Sequence, residues 1–183
     1  MTTPAAAPCV LDIEASGFGS HSYPIEVGYV LPDGRARCTL ILPLDGWTHW
    51  DPAAEQVHHI ARSTLLQHGR PPTEVAAMLN CDLAGLTVYC DGWGHDYPWL
   101  AALFEAADSA PRFKLESVAA LLDEKRLEHL DDAHRRARQE LSLVRHRASN
   151  DARALQMALT QVMQLTQPTQ LTQPTPAARP APR

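Results

Sequence analysis

The segment Cys9-Val-Leu-Asp-Ile-Glu14 decides how this 183-residue chain is interpreted, because it places two carboxylates inside an apolar strand. Side chains alternate between the two faces of a strand, so Asp12 and Glu14 share one face while Leu11 and Ile13 share the other. This pattern predicts a central strand that is covered on both faces. Two buried carboxylates so close together repel each other and lose hydration, and a divalent cation removes both penalties. The alternative is an edge strand whose acids are simply solvated.

Outward from this strand, the pattern predicts two more strands and then an alternation of helices and strands. The further strands are predicted at 24–31, 37–42, 87–90 and 113–118, and the helices at 61–67, 73–83, 97–107, 121–141 and 150–163. The stretch between the third strand and the first helix is rich in Trp, His and Asp and is interpreted as a loop. This order predicts an α/β fold with a mixed central sheet flanked by helices.

The C-terminal segment differs in composition from the rest of the chain. Gln164-Leu-Thr-Gln-Pro-Thr169 is repeated without change at 170–175, and a Pro- and Ala-rich stretch follows. Proline at this density removes backbone donors and prevents helix formation. We therefore expect one folded domain at 8–163 and a flexible Pro/Thr/Gln-rich tail at 164–183.

Composition and charge exclude several classes of protein. Lys and Arg number 16 against 21 Asp and Glu, a net charge of −5 that argues against non-specific coating of duplex DNA. Contact with a few terminal phosphates remains compatible with that charge. No apolar run approaches the roughly 20 residues that span a bilayer, and the first residues lack the features of a secretory signal. Four cysteines without C-x-x-C spacing predict buried thiols, and we expect no membrane association and a cytoplasmic location.

Two later aspartates also fall where helices predict buried positions. Asp96 lies three and four residues before the apolar Trp99 and Leu100, and Asp151 stands in the same relation to Ala154 and Leu155. Each aspartate therefore begins the inward stripe of a helix. A helix cap or a first-turn acid is the ordinary explanation for either residue alone. Together with the two acids of the first strand, the pattern favours convergence at one end of the sheet.

A histidine lies close to the last of these acids. His146 is in Arg145-His-Arg-Ala-Ser-Asn-Asp151, just before a helix that Ser149 or Asn150 is expected to cap. Its ordinary pKa suits a general base near neutrality. A single histidine is more often a surface residue, so this role depends on the neighbouring acids.

The ordered set of these residues resembles the motifs of the DEDDh-type 3′–5′ exonucleases. That family includes proofreading exonucleases, ribonuclease T and oligoribonuclease. The resemblance covers about residues 9 to 163 and rests on Asp12-x-Glu14, Asp96 before Trp99-Leu100, and His146-x-x-x-x-Asp151. Ile25-Glu-Val-Gly28 and Val57-His-His-Ile60 are similar to two supporting segments of the family, and a ribonuclease-H-like fold is implied.

The resemblance implies a metal-dependent 3′–5′ exonuclease that hydrolyses the terminal phosphodiester bond of single-stranded DNA or RNA. Two Mg²⁺ or Mn²⁺ ions would be held by Asp12, Glu14, Asp96 and Asp151, and His146 would act as general base. Substrate contacts are expected from residues after the D-x-E pair, from the H-H-I segment and from one tryptophan, namely Ala15, Ser16, Gly17, Phe18, His59, Ile60 and Trp93.

The sequence departs from the family pattern at two places, which leaves alternatives open. Asp91 lies in place of the usual His-Asn region and competes with Asp96 for the ligand role, and His58-His59 replaces His-Gly. An exonuclease-like module without turnover, binding nucleic acid or protein, is therefore the alternative function. Hydrolysis of very short phosphodiesters is a third. Some family members are dimers, so a homodimer also remains open.

Overall fold

The computed structural model describes residues 6–142 and 146–164 and contains one five-stranded sheet in the order β3-β2-β1-β4-β5. The strands are β1 Cys9–Ala15, β2 Pro24–Val30, β3 Ala36–Leu40, β4 Thr87–Cys90 and β5 Lys114–Ser117. The first three strands pair antiparallel, whereas β4 runs parallel to β1 and β5 runs parallel to β4. The mixed sheet predicted from the sequence is therefore confirmed, with β1 at its centre.

Helices cover both faces of this sheet. They are α1 Pro52–His58, α2 Arg62–His68, α3 Pro72–Leu83, α4 Trp93–Ala106, α5 Glu124–Leu141 and α6 Ala148–Gln164, with a short 3₁₀ turn at Val118–Ala120 before α5. The predicted alternation of helices and strands after β3 is thus confirmed.

Helix α1 was not predicted, and helices α4, α5 and α6 begin at residues other than the predicted 97, 121 and 150. The predicted loop contains α1, which Asp51 caps by accepting a hydrogen bond from the backbone N–H of Ala53 at 2.8 Å. Helix α4 begins at Trp93 instead of residue 97, because it continues across Pro98, a residue that usually marks a helix start. Helix α6 begins at Ala148, so Ser149 and Asn150 lie inside it instead of capping it.

The alternation along β1 divides its side chains between two apolar cores. Leu11 and Ile13 pack in the core that includes side chains of α3 and α4, whereas Val10 packs in the core that includes α5 and α6. Asp12 and Glu14 alternate in register with Val10, so they point to the α5–α6 side. The edge-strand alternative for β1 is therefore excluded.

Predictions about the chain as a whole have mixed outcomes. The predicted tail lies outside the described residues, apart from Gln164 at the end of α6. Among the described residues, no helix combines the length and the apolarity needed to cross a bilayer. The cysteines were expected to be buried, but Cys38 and Cys81 are exposed, since β3 is an edge strand and Cys81 lies on the outer side of α3.

The N-terminus of α6 lies directly on β2 at Gly28. A Cβ atom on Gly28 would lie 2.1 Å from the backbone nitrogen of Ser149 and 2.3 Å from the carbonyl carbon of Ala148. Only glycine therefore permits this contact, which explains the glycine of the Ile25-Glu-Val-Gly28 segment. The contact fixes how close the first turn of α6 comes to the sheet.

We expect Gly28→Ala to lower the free energy of unfolding by about 2 kcal/mol or more, because the methyl group must push α6 away from the sheet. Urea unfolding measures this loss. Gly46→Ala is the matched control, since Gly46 is exposed and a Cβ there meets nothing within 4 Å. Equal stability of the two variants would contradict the proposed closeness of α6 and β2.

Candidate active site

Helix α4 and the end of β4 bring two aspartates to Asp12. Carboxylate oxygens of Asp12, Asp91 and Asp96 lie within 4.8 Å of one another. Asp96 is in the first turn of α4 and is only 3% exposed, whereas Asp91 is exposed. The sequence left open whether Asp91 shares a ligand role with Asp96, and the geometry places both beside Asp12.

Helix α6 and the segment before it complete a second group. A carboxylate oxygen of Glu14, a ring nitrogen of His146 and a carboxylate oxygen of Asp151 also lie within 4.8 Å of one another. The backbone N–H of His146 donates to Oδ2 of Asp151 at 2.7 Å, and His146 has a φ of 58°. This turn folds the histidine back over the first turn of α6, so both residues face β1.

Glu26 anchors the start of α6 to the sheet. Its side chain is fully buried on β2, and its carboxylate accepts the Ala148 backbone N–H at 2.9 Å and the Arg147 Nη2 at 2.7 Å. A carboxylate is favourable at a helix N-terminus, where free N–H groups and the dipole are positive. Glu26 lies opposite Glu14 across the β1–β2 pair, so the same strand pair that carries Glu14 also fixes α6.

Burial and mutual repulsion raise the pKa values of the central carboxylates. Burial, followed by the charges of Asp96 and Glu14, raises the pKa of Asp12 well above its ordinary value. Burial, followed by the charge of Asp151, raises the pKa of Glu14 to about 7. The pKa of Asp96 is also raised to about 7, by burial and then by Asp91. Without a bound cation, the site therefore favours protonated acids.

These residues fit the binding of divalent cations. Oδ2 of Asp96 is buried and has no hydrogen-bond partner among the described residues, so it is available to a ligand. The donors around it are carboxylate oxygens, the type that Mg²⁺ and Mn²⁺ prefer. A cation would also remove the repulsion that raises the pKa values. The two groups of donors provide two places for such ions.

Two adjoining cavities open at this end of the sheet. The acidic cavity has a volume of about 330 Å³ and contains all the predicted ligands. The neighbouring cavity has a volume of about 220 Å³ and a mostly apolar lining. Ala15, Gly17 and Phe18, which the sequence predicted to contact substrate, line the apolar cavity, and Phe18 also lines the acidic one.

Four other residues predicted to contact substrate lie outside both cavities. Ser16 is fully buried, and its hydroxyl accepts the Tyr23 backbone N–H at 3.1 Å, so it supports the loop instead. His59 ends α1 in a left-handed conformation at a φ of 56°, and Ile60 packs in a small core with Leu65. Trp93 is exposed on α4 and is not a lining residue.

His58 lines the apolar cavity in place of His59, because α1 ends between them. Its Nδ1 accepts the Ile60 backbone N–H at 3.0 Å, and its Nε2 is buried without a partner among the described residues. Burial lowers the pKa of His58, which keeps the ring neutral. The helix α1 that decides between the two histidines was missed by the sequence analysis, although Asp51-Pro52 is a typical helix start.

Helix α5 adds two residues beyond the predicted ligands, general base and substrate contacts. His134 and Arg138 line the acidic cavity, with Nη2 of Arg138 3.0 Å from Nδ1 of His134. The same Nδ1 lies 3.6 Å from Oδ2 of Asp91. Their four-residue spacing was visible in the sequence, but nothing there indicated which face of α5 meets the site. Arg138 gives the acidic cavity a positive charge.

Comparison with solved structures identifies the fold. E. coli exonuclease I in complex with a dA16 oligonucleotide matches with a TM-score of 0.65 and 14% identity, over 85% of this chain and 41% of that one. Exonuclease I from Methylocaldum szegediense matches with a TM-score of 0.60 and 14% identity, over 85% of this chain and 40% of that one. No family model matches the sequence, and no curated protein matches it significantly.

These likenesses confirm the α/β fold with a mixed sheet that the sequence predicted and the ribonuclease-H-like type that the family resemblance implied. At this level of identity they establish the architecture, and this chain spans about two fifths of the exonuclease I chains that it matches.

We expect the metal-free protein to lose stability as the pH rises from about 5 to 8. The folded state holds protons on Glu14 and Asp96 up to about pH 7, whereas the unfolded state loses them near the ordinary values of 4.5 and 3.8. The folded state binds more protons in this window, so its stability falls with rising pH, by on the order of 3 kcal/mol. Unfolding in urea with a chelator present measures this loss.

The Asp96→Asn variant isolates the contribution of Asp96 to the pH dependence of stability, because the substitution removes a charge only at a pH at which Asp96 of the wild type is ionised. The free energy of unfolding of the variant should equal that of the wild type at pH 5 and exceed it at pH 8. Asp33→Asn is the control, since Asp33 is an exposed carboxyl whose pKa Arg35 lowers. A stability difference between Asp96→Asn and the wild type that stays constant with pH would show that Asp96 has an ordinary pKa.

Proposed function

We propose that this protein is a 3′–5′ exonuclease of the DEDDh type, which hydrolyses the terminal phosphodiester bond of single-stranded nucleic acid with Mg²⁺ or Mn²⁺. The observation that carries the proposal is the convergence of Asp12, Glu14, Asp96, Asp151 and His146 on one cavity. These residues come from β1, α4, α6 and the turn before α6. A protein that only binds has no need to bury unpaired carboxylates together, since their repulsion costs stability.

The carboxylates divide into two candidate ion sites. Glu14 and Asp151 would hold one ion, and Asp12 and Asp96 would hold the other, with Asp91 close enough to contribute. Bound ions of this kind lower the pKa of a water nucleophile and stabilise the leaving oxygen. The four acids would thus bind and orient the ions, and another group would have to accept the proton.

His146 is the residue proposed to accept the proton of the attacking water. Its imidazole lies with Glu14 and Asp151, and its backbone is held by Asp151. An ordinary imidazole is half neutral near pH 6.5, so it accepts a proton at physiological pH. The carboxylate neighbours stabilise the imidazolium that forms.

The apolar cavity is proposed to hold the terminal nucleoside. Phe18 reaches into both cavities, and its ring lies 6.1 Å from that of Trp99. Aromatic rings bind bases without requiring a particular sequence. Structures of E. coli exonuclease I contain dT13, dA13 and dA16 oligonucleotides, which supports single-stranded DNA as the first substrate to test.

We expect purified protein with Mg²⁺ or Mn²⁺ to shorten a 5′-labelled single strand stepwise, and Asp12→Ala to lower the rate at least 1,000-fold, since oriented metal catalysis is lost. Gel electrophoresis resolves the products on matched DNA and RNA strands with free or blocked 3′ ends. Asp33→Ala, an exposed carboxyl outside the site, should leave the rate unchanged. Release of no mononucleotide from either polymer, with both metals, would exclude the exonuclease and favour a binding module.

We expect His146→Ala to lower kcat by about 100-fold or more and to change KM little, because general base catalysis acts in the reaction and not in binding. The wild-type rate should fall towards acidic pH as the imidazole is protonated, and the rate of the variant should lose this dependence on His146. Steady-state kinetics across pH measure both. The His95→Ala variant is the comparison, because His95 lines the same cavity. An unchanged kcat would remove His146 from the mechanism.

A further inference from the structure

Two stacked aromatic pairs flank Asp96 on α4. His95 stacks on Trp99 with ring centroids 5.7 Å apart, and Trp93 stacks on Tyr97 with centroids 5.1 Å apart and an interplanar angle of 29°. The four-residue spacing places each pair along one side of the helix, and Asp96 points inward between them. The first two turns of α4 thus carry two aromatic pairs, of which only His95 and Trp99 line the acidic cavity.

The two pairs differ in how the fold uses them. Trp99 lines both cavities, and its Nε1 donates to Oγ of Ser22 at 2.8 Å. Trp93 and Tyr97 lie outside both cavities and are 42% and 50% exposed. Two large stacked rings at this exposure contribute little to the core, so their position needs another explanation.

The Trp93–Tyr97 pair adjoins the acidic cavity on its Asp91 side. Gly92, the residue before Trp93, lines that cavity together with Asp91. Asp91 faces His134, and the Arg138 guanidinium contacts the same imidazole, so a cation is available on this side.

Helix α4 itself carries few charges beside the pair. From residue 93 to residue 104 the only acidic or basic side chain besides His95 is that of Asp96, which is buried. An exposed aromatic surface accepts a base, and stacking on it is insensitive to base identity. These properties suit a nucleic-acid strand that continues out of the acidic cavity.

We propose that Trp93 and Tyr97 form a stacking platform for the nucleotide on the 5′ side of the scissile phosphodiester. The inference rests on the proposed function and deepens it. The terminal nucleoside would occupy the apolar cavity beside Phe18, and the chain would leave past the Trp93–Tyr97 platform. The substrate is then a single-stranded oligonucleotide, bound through two nucleotides or more, and a mononucleotide makes only part of the contacts.

Fluorescence polarisation of 5′-fluorescein-labelled dT10, in Ca²⁺ and again in a chelator, tests the platform without relying on turnover. Trp93→Ala and Tyr97→Ala should each raise the Kd for dT10 about tenfold, a typical loss for one base stack. Competition by dTMP, which occupies only the terminal position, should be unchanged. Trp93→Phe should restore most of the dT10 affinity, and Leu66→Ala on the exposed side of α2 is the control.

Unchanged dT10 affinity in both alanine variants would overturn the platform, as would an equal loss of dT10 and dTMP affinity, which would indicate a damaged site. Sedimentation velocity supplies a further check, since a dimer that Trp93→Ala converts to monomer would assign this face to a second copy of the chain and overturn the proposal. If dT10 binds in a way that depends on Trp93 and Tyr97 but is not hydrolysed in Mg²⁺ or Mn²⁺, the result would contradict only the proposed exonuclease activity. Failure of the wild type to bind dT10 would contradict the platform.

Discussion

The attachment of α6 to β2 is the constraint on which the acidic cavity depends. Glu26 holds the first turn of α6 through Ala148 and Arg147, and Gly28 lets the helix backbone reach the sheet. His146 and Asp151 lie on either side of this anchor, so the turn that carries them has little freedom to move. The distance between α6 and Glu14 is thus set by the contacts of Glu26 and by the close approach at Gly28, instead of by the repelling acids themselves.

Glu26 and Asp96 show two different ways in which this fold buries a carboxylate. Glu26 is fully buried and receives both a guanidinium and a backbone N–H. Asp96 is nearly as buried, yet one of its oxygens has no partner among the described residues and acids surround it. A buried carboxylate with hydrogen-bond partners stabilises the fold. A cluster of buried carboxylates without such partners lowers the stability of the fold, and proteins keep such a cluster where their function requires it. The contrast separates the supporting carboxylate from the proposed ligands.

The sequence predicted the positions of the acids well because their signals are local. Alternation along β1 placed Asp12 and Glu14 on one face, and helical periodicity turned Asp96 inward. The position of His134 could not be predicted, because α5 brings it to the acidic cavity only through its packing against the sheet. The choice between His58 and His59 depended on where α1 ends, a boundary that periodicity locates only to within a few residues. Position along the chain was therefore easier to infer than neighbours in space.

The wide spacing of the proposed ligands along the chain has a consequence for folding kinetics. The β1–β2–β3 meander joins neighbouring segments, whereas Asp12 meets Asp96 only after β4 has paired with β1, and Glu14 meets Asp151 only after α6 has docked. Distant contacts of this kind form late, since a long loop must close first. Cations bound by the complete cluster would then slow the rate of unfolding and leave the rate of refolding almost unchanged. In a stopped-flow experiment, added Mn²⁺ would shift only the unfolding limb, giving the protein a longer native lifetime without faster assembly.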